Sequence, residues 1–284
     1  MSIAIRPMLG IVATILLASS AFANNNASVT SSTMVVQPAK KEGRIWSGFV
    51  NVSRSTSLYD FQDSSRKDGV DYMTRLNLKL SDSYSLRVQG GYSQDLNYPE
   101  SNDFSDTSLN LQRVPKEAGR YLLIGYRVGT GIPTSKDSHT RQNLLGSLST
   151  GLNIVVNPDR LMTGFEVAGG LSVGRNFHQY ETALDGRVNT QYSSSQTLSL
   201  SYNFTSGISL SAEFLHKNTW SYQNVMRDSF EMSQELGYQL NPTWAIAVGH
   251  SNSGSTLKPN GSDSNVQFVD DNNSLIYGSV TAIF

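Results

Sequence analysis

The sequence predicts an all-β protein, a closed antiparallel transmembrane β-barrel of about twelve strands. Three observations lead there. Apolar and polar side chains alternate with a period of two along most of the chain, as when one face of a strand meets an apolar medium and the other meets water. The connections between these segments are alternately short and long. Aromatic residues sit where the segments end.

The first element is an export signal. Residues 1–6 carry one positive charge, at Arg6, residues 8–18 form an apolar run, and Ala21-Phe22-Ala23 has the form of a cleavage site. The run is too short to cross a bilayer as a helix and is followed at once by Asn24, Asn25 and Asn26. Residues 1–23 are therefore expected to be a signal peptide cleaved after Ala23. Residues 24–43 lack apolar periodicity and are expected to form a flexible leader, with the barrel proper in residues 44–284.

The alternation is clearest in Ile208-Ser-Leu-Ser-Ala-Glu-Phe214, Gln196-Thr-Leu-Ser-Leu-Ser-Tyr202 and the stretch from Val70 to Leu80. Extended along the chain, it places strands near 45–59, 70–81, 84–95, 106–114, 120–130, 142–156, 162–177, 191–204, 207–217, 229–240, 243–252 and 274–284, each bound good to about three residues. Short turns fall at 81–83, 115–117, 157–160, 205–206 and 241–242, and long polar links at 60–69, 96–105, 177–190 and 253–273. β-Sandwiches also alternate, but they lack this regular exchange of short and long connections. Tyr84, Tyr92, Tyr202, Phe204, Phe230, Tyr238 and Trp244 are placed to form girdles at the headgroups.

Composition closes off other classes. Mean hydropathy is −0.30 and no second long apolar run exists, so no transmembrane helix is expected. The absence of cysteine excludes disulfides, a lipidated N-terminal cysteine and thiolate metal sites. A net charge of −1 gives no reason to expect nucleic acid as a partner.

The chain ends in Phe284, preceded at alternate positions by Ala282, Val280, Gly278 and Ile276. This resembles the C-terminal signal of Gram-negative outer-membrane proteins, with Ala and Gly standing where larger groups are usual. The resemblance spans the mature chain in architecture and is to porin-like barrels as a class. It implies a place in the cell outer membrane, contact with lipid and lipopolysaccharide, and a last strand read by the barrel-assembly machinery. An even strand count puts both termini on the periplasmic side, with six long loops outside.

If the apolar face points to lipid, the other parity faces the lumen. A charge turned to midplane lipid costs about 2–4 kcal/mol, so wall charges are expected inside. That rule sends Arg75, Lys79, Arg87 and Arg127 inward, with Asp71 and Lys217, and also Glu166, Glu213, Glu231 and Glu235. The residues around Ser47 to Arg54 have mixed parity and leave the first strand's faces open. The bases fall on strands two, three and five and the acids on strands seven, nine and ten, so Arg75 and Arg127 are expected to face Glu213 and Glu235 across the lumen. Such an arrangement reads as a transverse field in a channel for ions or small polar solutes. The alternative is an interior salt-bridge network that closes the lumen, leaving the loops to act in adhesion, envelope structure or surface contact. Small inward residues such as Ser199, Ser201, Ser209 and Gly170 favour the channel.

His250-Ser251-Asn252 is partly similar to the His-x-Ser signature of outer-membrane lipid hydrolases. A base and a nucleophile on one strand must lie two apart to share a face, and these two are adjacent. No enzyme is expected, and no cofactor. His139, His178, His216 and His250 lack metal-ligand spacing and read as rim residues. Asp263, Asp270 and Asp271 lack the ordered spacing of a calcium loop. Gly90-Gly91 and Gly169-Gly170 precede no helix and are small wall or bulge positions, not phosphate loops.

Overall fold

Twelve long strands close into one sheet in the computed structural model, which describes residues 44–58, 66–204, 206–258, 260–270 and 273–284. They are β1 (Trp46–Ser57), β2 (Asp68–Lys79), β3 (Tyr84–Asp95), β4 (Thr107–Arg113), β5 (Leu122–Ile132) and β6 (Leu144–Val156), then β7 (Phe165–His178), β8 (Thr190–Asn203), β9 (Ile208–Ser221), β10 (Met226–Gln239), β11 (Trp244–Ser255) and β12 (Leu275–Ile283). Each segment expected from the alternation is one of these strands. The expected signal peptide and leader, residues 1–43, lie outside the described residues.

Every strand pairs antiparallel with its neighbour in sequence, and β12 pairs with β1 to complete the ring. Among the described residues none of the twelve long strands is left with an open edge, so the backbone groups of the wall can be satisfied within the sheet, as a wall in hydrocarbon requires. The closing pair runs from Phe49↔Ile283 to Ser57↔Leu275. Phe284 seals it: the amides of Gly48 and Phe284 each donate to the other's carbonyl at 3.0 Å, and the Phe284 ring lies 5.6 Å from that of Trp46. Gly48 is required there, because a Cβ would stand 2.5 Å from the Arg75 carbonyl and 2.8 Å from the Phe284 ring.

Burial alternates along the strands. On β1, Val50 and Val52 are exposed while Asn51 and Ser53 are buried, which settles the faces that mixed parity leaves open. Phe49 turns inward and Arg54 outward, against the usual sorting, and this is why the sequence pattern blurs. Arg54 sits at the loop end of β1 and pairs with Asp68 at 3.2 Å. Arg175, near the loop end of β7, is also outward, its guanidinium 5.1 and 5.4 Å from the ring centroids of Phe177 and Tyr192. The inward rule for charges thus holds for the middle of the wall but not for its rim, where a long side chain can reach water.

Two features differ from expectation. β9 runs to Ser221 and β10 starts at Met226, so a tight turn replaces one of the six expected long loops. Asn224 adopts a left-handed φ of 60°, and the Ser221 hydroxyl accepts from the amides of Gln223 and Val225. Asn218 and Thr219 are both polar, so alternation fades before the strand ends. The other departure is Phe230, which points outward on β10 as expected but is 4% exposed and so does not stand in a girdle.

Three of the remaining loop-end connections are tied to one another. Asp103 accepts from the amides of Lys136 and Asp137, and Asp106 from the amide of Ser135 and the hydroxyl of Ser138. Asn189 Nδ2 donates to the carbonyls of Gln142 and Tyr180. These bonds join three loops into a cap over β3 to β8.

Candidate functional site in the barrel lumen

The lumen has two unlike halves. Along β12, β1 and β2 it is tightly filled: Asn51, Ser53, Arg75 and Tyr277 are at most 2% exposed, and Asn51 Nδ2 donates to Thr281 Oγ1 at 2.8 Å. Across β4 to β8 many of the inward side chains are short. Ser108, Ser149, Ser172, Ser193, Ser195 and Asn110 line a solvent-connected cavity bordered by Arg127 and Lys217.

Two of the basic residues donate to neutral neighbours. Arg75 Nε donates to Gln89 Oε1 at 2.9 Å, and its guanidinium lies 4.9 Å from the Phe49 ring centroid. Arg87 Nε donates to Asn77 Oδ1 at 3.0 Å. Arg127 Nε is buried with no hydrogen-bond partner among the described residues. Arg75 and Arg127 both lie within electrostatic reach of Arg87, so one side of the lumen carries a cluster of like charge. Lys79 stands apart from it. It is at the turn end of β2, more than half exposed, and paired at 2.6 Å with Asp82, whose carboxyl it holds below the usual carboxylate range.

The acids are spread more widely. Glu213 accepts from the Ser199 hydroxyl at 3.5 Å and lies within electrostatic reach of Arg75 across the lumen. Among the described residues those two form no direct ion pair, which leaves their charges opposed but separate. Glu231 is within electrostatic reach of Lys217. Glu235 is 2% exposed and accepts from the Tyr277 hydroxyl at 3.1 Å, so the structure gives it a local partner. Glu166 is half-buried at the turn end of β7.

Sequence reasoning misses two arrangements. The first is the contact of Tyr277 with Glu235, which crosses the face of Gly249: a Cβ there would stand 2.4 Å from the tyrosine ring and hydroxyl. The register Gly249↔Tyr277, with Glu235↔Gly249 beside it, carries the signal, but only once strand pairing is known. The second is outward. His216 Nδ1 lies 2.6 Å from Gln196 Oε1 and its Nε2 lies 2.6 Å from Asp228 Oδ1, on three adjacent strands. Both ring nitrogens are engaged, so neither is free to activate a nucleophile.

His250 and Ser251 stand on opposite faces. The histidine is outward, with Nδ1 2.9 Å from Gln234 Oε1, and the serine is inward and 4% exposed. The His-x-Ser likeness therefore lacks a base–nucleophile contact. Among the described residues no group of three or more potential ligands gathers to hold a metal. The described acids of the last loop serve its own turns: Asp263 accepts from Asn260 Nδ2, and Asp270 from the amide of Asn273. Asp271 lies outside the described residues.

A closed twelve-stranded wall, apolar outside and charged within, defines the class: this is the fold of a porin-like outer-membrane β-barrel. Solved structures of that class match nearly end to end. An outer-membrane channel of Pseudomonas putida F1 matches at a TM-score of 0.57 with 12% identity, over 87% of this chain and 100% of that one. The NanC porin matches at 0.55 with 8% identity, over 84% and 98%. The KdgM porin in complex with disordered oligogalacturonate matches at 0.50 with 10% identity, over 83% and 99%. At these identities the likeness is one of fold. No family model and no curated protein sequence matches the chain.

Proposed function

We propose that the protein is a passive channel of the Gram-negative outer membrane for ions or small polar solutes, with no catalytic step. The observation that carries this reading is the lumen's division: Arg75, Arg87 and Arg127 on one side, Glu213 opposite Arg75 without an ion pair, and beside them a serine-lined cavity bordered by Arg127 and Lys217. Opposed charges that neutralised each other directly would fill the lumen. Held apart, they set a transverse field through which a hydrated solute must pass. Lys79 and Glu166 stand toward the turn end of this path and Glu231 toward the loop end, while Glu235, 2% exposed, is held beside it by Tyr277. Charges of both signs suit neutral or zwitterionic solutes better than strongly acidic oligosaccharides.

In this reading the turn end, with both chain termini, faces the periplasm, and the tied loops face outward. The apolar wall contacts lipid and lipopolysaccharide, and the strand ending in Phe284 presents the assembly signal. The test is conductance in a planar bilayer. The wild-type protein should give stable single-channel steps. Arg75→Ala should shift ion selectivity toward cations, and Glu213→Gln should shift it toward anions. A silent bilayer with correctly folded protein would reject the channel and favour the alternative supported by the tightly filled side of the lumen, a closed barrel acting through its loops.

A further inference from the structure

The last loop lies against the outside of the wall. On β11 the outward residues are Trp244, Ile246 and Val248, then His250, Asn252 and Gly254. The apolar three are 46%, 41% and 52% exposed, but Asn252 is only 1% exposed despite pointing out of the barrel. Loop residues cover it. Asn252 Nδ2 donates to the Gln267 carbonyl at 2.7 Å, the Phe268 ring stacks on His250 at 6.0 Å, and Asn265 and Asn273 stand over the outward face of Gly254. Two bonds fix the entry to this path, from the Asn265 amide to the Thr256 carbonyl (2.7 Å) and from Asn265 Nδ2 to the Ser255 carbonyl (3.0 Å).

The geometry of the apolar band explains why a cover is needed. A strand rising about 3.4 Å per residue and tilted by about 40° climbs roughly 2.6 Å per residue, so a band about 25 Å tall takes about ten residues. The apolar run on β11, from Trp244 to Val248, supplies roughly half of that. Above it the bare wall would offer His250, Asn252 and the Gln234 of β10 to acyl chains, where an unsatisfied polar group is costly. The loop replaces that polar surface with its own outer face, where Phe268 is 61% exposed, Val269 41% and Val266 39%.

We infer that residues 266–269 form a lipid-facing patch that completes the apolar band over β10 and β11, with the acyl chains of the outer leaflet as its partner. This rests on the outer-membrane reading above, and the test separates the two. The chain has no cysteine, so a single introduced one can carry a spin label. Phe268→Cys is compared in proteoliposomes with Val248→Cys, a wall position, and Ser262→Cys, exposed at the loop tip, by paramagnetic relaxation with oxygen and a water-soluble nickel chelate. The label at 268 should favour oxygen over nickel several-fold more than the label at 262 does, and should match the one at 248. Water-like accessibility at 268 with lipid-like accessibility at 248 would overturn the inference and leave the barrel reading standing. Water-like accessibility at 248 would overturn the barrel reading itself. Exclusion of both reagents at 268, with broadening between labels, would show a second copy of the chain on the patch and would also overturn the inference.

Discussion

Gly249→Val should lower the stability of the folded barrel by about 2–4 kcal/mol, through overpacking and through the loss of the Tyr277 hydrogen bond to a buried carboxylate. A Cβ at that position would stand 2.4 Å from the Tyr277 ring and 2.7 Å from the Gln234 carbonyl, and the second of these is backbone that cannot move aside. Tyr277 would have to leave its path across β11 and give up its bond to Glu235. Urea unfolding of the refolded protein measures the change as a lower midpoint. Tyr277→Phe, which removes the hydroxyl and keeps the ring, should show the smaller, hydrogen-bond part of the effect. An unchanged midpoint for Gly249→Val would mean that the tyrosine does not lie where the structure places it.

A second pair of variants tests which face of the wall meets lipid. Leu198 is outward in the middle of β8 and 48% exposed, whereas Ser199 is inward and bonds to Glu213. Leu198→Arg should destabilise the protein in lipid vesicles by about 2–4 kcal/mol, the cost of a guanidinium facing the midplane. Ser199→Arg, one residue away, brings a cation to an acid in a polar interior and should cost far less. Equilibrium folding into vesicles reads both. Equal penalties, or a larger one at 199, would reverse the face assignment and with it the membrane reading.

The architecture was legible because a membrane wall imposes a strict rule on every residue it contains. Leu198, Leu200 and Tyr202 stand against Thr197, Ser199 and Ser201 with no exception in the run, and β8 follows. The rule weakens where its cause does. Near the rim, water is within reach of a long side chain, so Arg54 and Arg175 turn outward and the sequence around them stops sorting. β9 outran its expected end for the same reason, since Asn218 and Thr219 put polar groups on both faces. Within the lumen, parity states the direction of Arg75 and Glu213 but not their distance. The partner of Glu235 depends on register across three strands, a non-local quantity that one sequence does not display. The path of the last loop was hidden because Val266, Phe268 and Val269 sit in a stretch with no alternation to interpret.

Closure of the ring carries a consequence for how the protein comes to exist. The bond between Asn51 and Thr281 joins positions 230 residues apart, so the seam is among the most non-local contacts the molecule makes. Every other strand pair can zip with its neighbour across a connection of modest length, but this one must wait until the whole chain has curled round. Until then β1 and β12 are raw edges, each with a full row of unpaired amides and carbonyls that would accept any strand offered. The hazard of misassembly is thereby concentrated in a single late event, and the two strands that form the seam are the ones a folding catalyst would have to hold.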